Sequence, residues 1–84
     1  MVHYLIICRS LTYAQRTASL LERAGISSYI MRSPKNADAE GCSHAVRISE
    51  RNIAQALKIL ERGELNPKRI FILTGDGNCR EVFL

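Results

Sequence analysis

The sequence predicts an α+β fold (α/β in the broad sense): an antiparallel sheet with two helices on one face and an additional C-terminal strand or hairpin. Three observations predict it. The strand-like runs and helical stripes follow the order β-α-β-β-α-β. Each helical segment has a single apolar face, so both can be buried by lying on the same side of a four-stranded sheet. Residues 33–43, SPKNADAEGCS, are polar and carry the turn formers Pro, Asn, Asp and Gly. They offer no crossover helix between the second and third strands, which argues against two βα units joined in a flavodoxin-like parallel sheet. The combination is the ferredoxin-like split β-α-β arrangement, βαββαβ, whose first and third strands are central. Residues 1–84 are expected to form one such domain.

His3-Tyr4-Leu5-Ile6-Ile7-Cys8 is a short apolar run rich in strand formers, and its lack of clean alternation predicts a central strand covered on both faces. Thr12-Tyr13-Ala14-Gln15 reads as a Thr-x-x-Gln capping box that opens the first helix. Ala14, Ala18, Leu21 and Gly25 share one face, supported by Leu20 and Ala24, and Gly25 stops the helix as a left-handed residue. Ile26-Ser27-Ser28-Tyr29-Ile30-Met31 reads as the second strand, ended by Ser33-Pro34, because Pro34 cannot donate to a ladder and restricts the residue before it. His44 to Ile48 returns to strand. Ser49 caps the next helix, with Glu50 in the first turn where the helix dipole favours a carboxylate. Ile53, Ala56, Leu57 and Leu60 form that helix's apolar stripe, and Gly63 ends it. Arg69-Ile70-Phe71-Ile72-Leu73 is the fourth strand. The Asp-Gly turn in TGDGN then folds Arg80-Glu81-Val82-Phe83-Leu84 back as a hairpin.

Composition excludes several classes. With 46% hydrophobic and 24% charged residues the chain is ordinary for a globular protein. The apolar runs, Val2 to Cys8 and Ile70 to Leu73, are too short to span a bilayer, and no secretory leader pattern is visible, so a cytoplasmic location is expected. The net charge of +4 is unevenly spread. Residues 1–37 hold Arg9, Arg16, Arg23, Arg32 and Lys35 against Glu22 alone, which is the whole excess; residues 38–84 hold seven bases and seven acids. Such a field favours an acidic partner.

Cys8, Cys42 and Cys79 are an odd number at wide spacing, which suits neither a disulfide framework nor a paired C-x-x-C metal site. Cys42 and His44 form a C-x-H pair, two ligands where a structural zinc site needs four, so no metal is expected, and no cofactor. Cys8 is most simply a small core residue. Cys79 would be a resolving thiol if the C-terminal tail folded near the loop. Lys35, His44 and Arg47 would lower the pKa of Cys42 by stabilising its thiolate, which is what makes a cysteine reactive at neutral pH.

The plan of the chain resembles a family of small bacterial proteins known as putative selenium/sulfur carrier protein-like. The resemblance runs over roughly residues 3 to 73. It includes a capped helix from Ser10 to Ile26 that closes in "LLERAGI", a loop containing Pro34, the cysteine Cys42, the strand "AVRI" from Ala45 to Ile48, and the helix "ERNIAQALKIL". Family members commonly show Cys-Gly where this chain reads Gly41-Cys42-Ser43, so Ser43 stands where a residue permitting φ > 0 is usual. The resemblance implies that Cys42 is a carrier thiol, holding sulfur or selenium as a persulfide or selenosulfide between partner enzymes, in a protein without turnover of its own. A thiol on a loop suits that role, since donor and acceptor must both reach it.

Arg9, Arg16 and Arg23 recur every seven residues and are expected to dock an acidic protein surface, the donor or acceptor of the carried atom. The competing expectation is a binding module without chemistry that uses the same basic helix. That module's partner is expected to be a protein, with RNA the minor alternative: Tyr4 and Phe71 lie on strands, but the glycine-aromatic pattern of RNA-binding sheets is absent. The sequence leaves open a homodimer through the open sheet face or an edge strand.

Overall fold

The computed structural model describes residues 2–33, 44–65, 67 and 69–83. The elements run β1 (His3–Cys8), α1 (Leu11–Arg23), β2 (Tyr29–Arg32), β3 (His44–Ser49), a 3-10 turn (Glu50–Asn52), α2 (Ile53–Arg62), β4 (Arg69–Leu73) and β5 (Cys79–Val82). The strands form one sheet in the order β2-β3-β1-β4-β5, with every neighbouring pair antiparallel. This is the ferredoxin-like core, with the additional strand β5 beside β4. β1 and β3 are interior strands, as the order of elements predicts.

Alternation along the strands assigns the two faces. Ile6 and Cys8 of β1 and Val46 and Ile48 of β3 pack with Ala14 and Leu21 of α1 and Ala56 and Leu60 of α2. Both helices therefore cover one face. Leu5, Ile7, Ala45 and Phe71 form a second cluster on the opposite face, with Met31, Leu73 and Cys79 packed against it. Leu5, Ile6 and Ile7 are all fully buried, which explains why β1 is apolar without alternation. On the face without helices, Arg47 lies over the Tyr29 ring and Arg69 over the Phe71 ring, 5.0 and 4.9 Å from the ring centres. Their aliphatic stems can cover apolar surface while the charged heads stay in water.

Several boundaries differ from the sequence expectation. α1 begins at Leu11, capped by Ser10, whose side chain accepts a hydrogen bond from the Tyr13 N–H at 3.3 Å. Thr12 is thus inside the first turn, and the capping box does not open the helix. The cap lies two residues earlier because β1 ends at Cys8 and delivers the chain directly to Ser10. Ser49 precedes the 3-10 turn without a side-chain capping bond, and α2 proper starts at Ile53. β2 starts at Tyr29, not Ile26, because Ile26 belongs to the ending of α1. Its N–H bonds the Leu21 carbonyl at 2.9 Å while the Gly25 N–H bonds that of Glu22 at 3.0 Å, and Gly25 sits at φ 83°. That is the Schellman ending, with Ile26 and Leu21 in the same core cluster.

α2 stops at Gly63 as expected and closes with the same pair of backbone bonds, but its left-handed residue falls one position later. Leu65 N–H bonds the Leu60 carbonyl at 2.9 Å, Glu64 N–H bonds that of Glu61 at 3.1 Å, and the left-handed residue is Glu64, at φ 59°. Gly63 keeps φ at −84°. Its reason is packing: a Cβ there would stand 2.5 Å from Cδ2 of Leu20 on α1. Gly63 is the place where the second helix end closes against the first helix.

Candidate functional site

The thiols come first, because their environments differ. Cys8 ends β1 on the helix-covered face and is 5% exposed. Its Sγ lies 3.7 Å from the Ile6 carbonyl, to which it donates, and 3.8 Å from Thr17 Oγ1. Burial pushes its pKa up, the hydrogen bond with Thr17 opposing this in part. The space beside it, bounded by Tyr13, Thr17, Leu65 and Pro67, is about 10 Å³. That is about the smallest volume that holds one water. Cys8 is a packed core residue. Thr17, a buried polar residue inside an apolar helix face, was not foreseen; its place one turn from Ala14 and Leu21 was the available signal.

Cys79 starts β5 on the opposite face, half-buried, and burial raises its pKa as well. In the ladders it pairs with Leu73, which pairs with His3 at the start of β1. Cys8, at the end of β1, pairs with His44, which pairs with Arg32. Ser33 and His44, the described residues that flank 34–43, therefore lie at one end of the sheet, and Cys79 at the other, about 17 Å away along the strands. The expectation of Cys79 as a resolving thiol required the tail to fold beside that loop.

Cys42, Lys35, Gly41 and Ser43 lie outside the described residues. Of the groups expected around the thiol, His44 and Arg47 are described, and β3 turns them to opposite faces, as any odd separation on a strand does. His44 is on the helix side, in register with Cys8. Its Nδ1 is buried with no hydrogen-bond partner among the described residues, and so is the hydroxyl of Ser33. Arg47 is on the other face, over Tyr29. Among the described residues no three His, Cys, Asp or Glu side chains converge as metal ligands. No described helix is long and apolar enough to cross a membrane.

The three arginines expected on a common stripe are brought together. Arg9 and Arg16 both lie over the Tyr13 ring, 5.0 and 5.9 Å from its centre. Arg16 and Arg23 line one groove of about 430 Å³ between α1 and the segment that follows α2. Leu20, Gly63 and Leu65 also line it. Those three were not foreseen as part of a surface, since Leu65 and Gly63 reach α1 only through the tertiary fold. Tyr4 faces the helices, whereas Tyr29 is on the open face and 59% exposed.

A family model described as "putative Se/S carrier protein-like" matches residues 3–72. No curated protein and no solved structure matches the chain.

Proposed function

The chain belongs to this Se/S carrier protein-like family, and on that premise we propose that it carries sulfur or selenium on Cys42, as a persulfide or selenosulfide, between a donor and an acceptor protein. One observation supports Cys42 above the other thiols. The family match over residues 3–72 contains two cysteines, Cys8 and Cys42, and Cys8 is buried in the core, where a donor or acceptor protein does not reach it.

In the loading step the Cys42 thiolate attacks the terminal sulfur of a donor persulfide, R–S–SH. The donor's S–S bond breaks as the new S–S bond to Cys42 forms, R–S⁻ leaves, and the proton stays on the transferred sulfur. No net oxidation occurs. Unloading is the same displacement by the acceptor's thiolate, with Cys42 as the leaving group, and a selenosulfide follows the same course with selenium as the transferred atom. A low thiol pKa serves both steps, giving more thiolate for attack and a better leaving group for release.

His44, two residues after Cys42 in sequence, is the described residue best suited to help. Its Nδ1 is buried and has no hydrogen-bond partner among the described residues, a state that costs free energy unless another group uses it. Lys35 would add positive charge, Gly41 and Ser43 would shape the backbone about the thiol, and Arg47 would act only through its field from the far face. A cytoplasmic setting, where thiols stay reduced, fits this chemistry.

The test is loading by glutathione persulfide, read by intact mass. The wild type is expected to gain the mass of one sulfur atom, reversibly with dithiothreitol. Cys42→Ser is expected not to; equal loading of that variant would refute the proposal.

A further inference from the structure

Arg16 and Arg23 are seven residues apart on α1, two helical turns, so they leave the helix along nearly one line. Arg9 extends that line past the start of α1 by sharing the Tyr13 ring with Arg16. The result is a cationic strip along the helix. None of the three guanidinium groups has a carboxylate within ion-pair distance among the described residues, and no described residue lining the groove is acidic. Unpaired like charges held this close raise the local potential and favour an anionic partner. The strip starts at Arg9, next to Cys8, the register partner of His44. A partner lying along α1 therefore reaches the end of the sheet where β3 begins.

We infer that this groove docks an acidic protein segment that sets one aliphatic side chain against Leu20 and Leu65 and directs carboxylates to Arg16 and Arg23. Two observations favour a protein over a nucleic acid. The Tyr13 ring is already taken up by two guanidinium groups, which leaves it poorly placed to stack a base. The wall formed by Leu20 and Leu65 is apolar, which suits a branched aliphatic side chain. Arg16 and Arg23 then supply charge-assisted hydrogen bonds at its rim. The inference rests on the carrier reading for the partner's identity alone: the segment would belong to the protein that loads or unloads Cys42.

The test uses a fluorescently labelled synthetic peptide in which a leucine is flanked by aspartate and glutamate, followed by anisotropy. Binding to the wild type is expected, weakening as salt rises. Arg16→Gln/Arg23→Gln is expected to bind about tenfold more weakly or worse, with amide shifts on peptide addition at Leu20, Gly63 and Leu65 in the wild type only. Arg16→Glu/Arg23→Glu, its fold checked by circular dichroism, should abolish binding. Absence of peptide binding, equal binding by the double variants, or binding of an oligothymidylate in place of the peptide would each overturn the inference. Glutathione persulfide loading is run alongside. Loading retained in Arg16→Gln/Arg23→Gln while peptide binding is lost supports a docking role; loading absent from the wild type would overturn the carrier reading and leave the peptide result standing.

Discussion

Glu64, at φ 59°, occupies in α2 the position that Gly25, at φ 83°, occupies in α1. The segments Leu20-Leu21-Glu22-Arg23-Ala24-Gly25-Ile26 and Ile59-Leu60-Glu61-Arg62-Gly63-Glu64-Leu65 align residue for residue through this ending, and each closes with the same two backbone bonds. The glycine has moved one place earlier in the second copy. A left-handed conformation costs a residue with a Cβ about 1–2 kcal/mol. Part of that is returned when glycine is introduced, because glycine loses more entropy on folding. Glu64→Gly is therefore expected to stabilise the fold by about 0.5–1 kcal/mol, and Gly25→Ala to destabilise it by about 1 kcal/mol. Urea unfolding of both variants measures this, and effects of the opposite sign would show that the helix endings are not strained as described.

Gly63 and Leu20 form a second coupled pair. A methyl group at Gly63 would meet Leu20 Cδ2 at 2.5 Å, and since that atom is the far end of a side chain, the leucine can turn away at some cost. Gly63→Ala is expected to lose about 1 kcal/mol. In a Leu20→Ala background the same change should cost less, and a double-mutant cycle by urea unfolding would measure the difference. Strict additivity would mean that the two do not meet.

The thiol of Cys8 links stability to alkaline pH. Its folded pKa is raised above the ordinary 9.0 by burial. Below that value both states are protonated and the contribution is fully present. Above it the unfolded chain releases the proton while the folded one keeps it, so stability falls as pH rises toward the folded pKa. The unfolding free energy of the wild type should decline past pH 9.0 more steeply than that of Cys8→Ala, a difference absent if the thiol were open to solvent. Iodoacetamide should likewise leave Cys8 unlabelled in the native protein.

Arg69 and Glu81 give the opposite dependence. Arg69 donates from Nε and Nη2 to the two carboxylate oxygens at 2.9 and 2.8 Å, joining β4 to β5. This hydrogen bonding holds the Glu81 carboxyl below its ordinary 4.5. Its contribution is present above the unfolded value and lost as pH falls through the folded one. Glu81→Gln should lose a small part of the stability near neutrality and flatten the acid limb below pH 4.5, so that its profile converges with that of the wild type at low pH.

His44 should separate stability from chemistry. Replacing it with leucine removes a buried nitrogen that has no partner among the described residues and is expected to raise stability by about 1 kcal/mol. If the ring assists the thiol as proposed, the same variant should alkylate more slowly at Cys42, with the midpoint of its pH profile moved upward. An unchanged profile would remove His44 from the thiol's environment.

Much of this molecule was legible before any tertiary information. The order of elements, the two one-sided helices and the polar stretch at 33–43 are local properties of neighbouring residues, and they sufficed for the ferredoxin-like topology and the fifth strand, while the family was legible only as a resemblance carried by Pro34, Cys42 and the strand Ala45 to Ile48. The arginine spacing of seven already implied a shared line on α1. The opposite faces of His44 and Arg47 were also readable, because parity on a strand depends on sequence separation alone.

Only the tertiary structure decided which side chains are sealed and which elements touch. Cys8 looks like any strand residue until α1 brings Thr17 against it, and Cys79 is placed at the far end of the sheet by the register of β4 with β5. Gly63 reads as a helix stop until α1 brings Leu20 against it, when it becomes a packing position and leaves the left-handed turn to Glu64. The groove beside Arg16 and Arg23 likewise exists only because Leu65 returns to α1. Propensity and periodicity act along the chain, whereas burial and groove shape come from contacts between segments far apart in it.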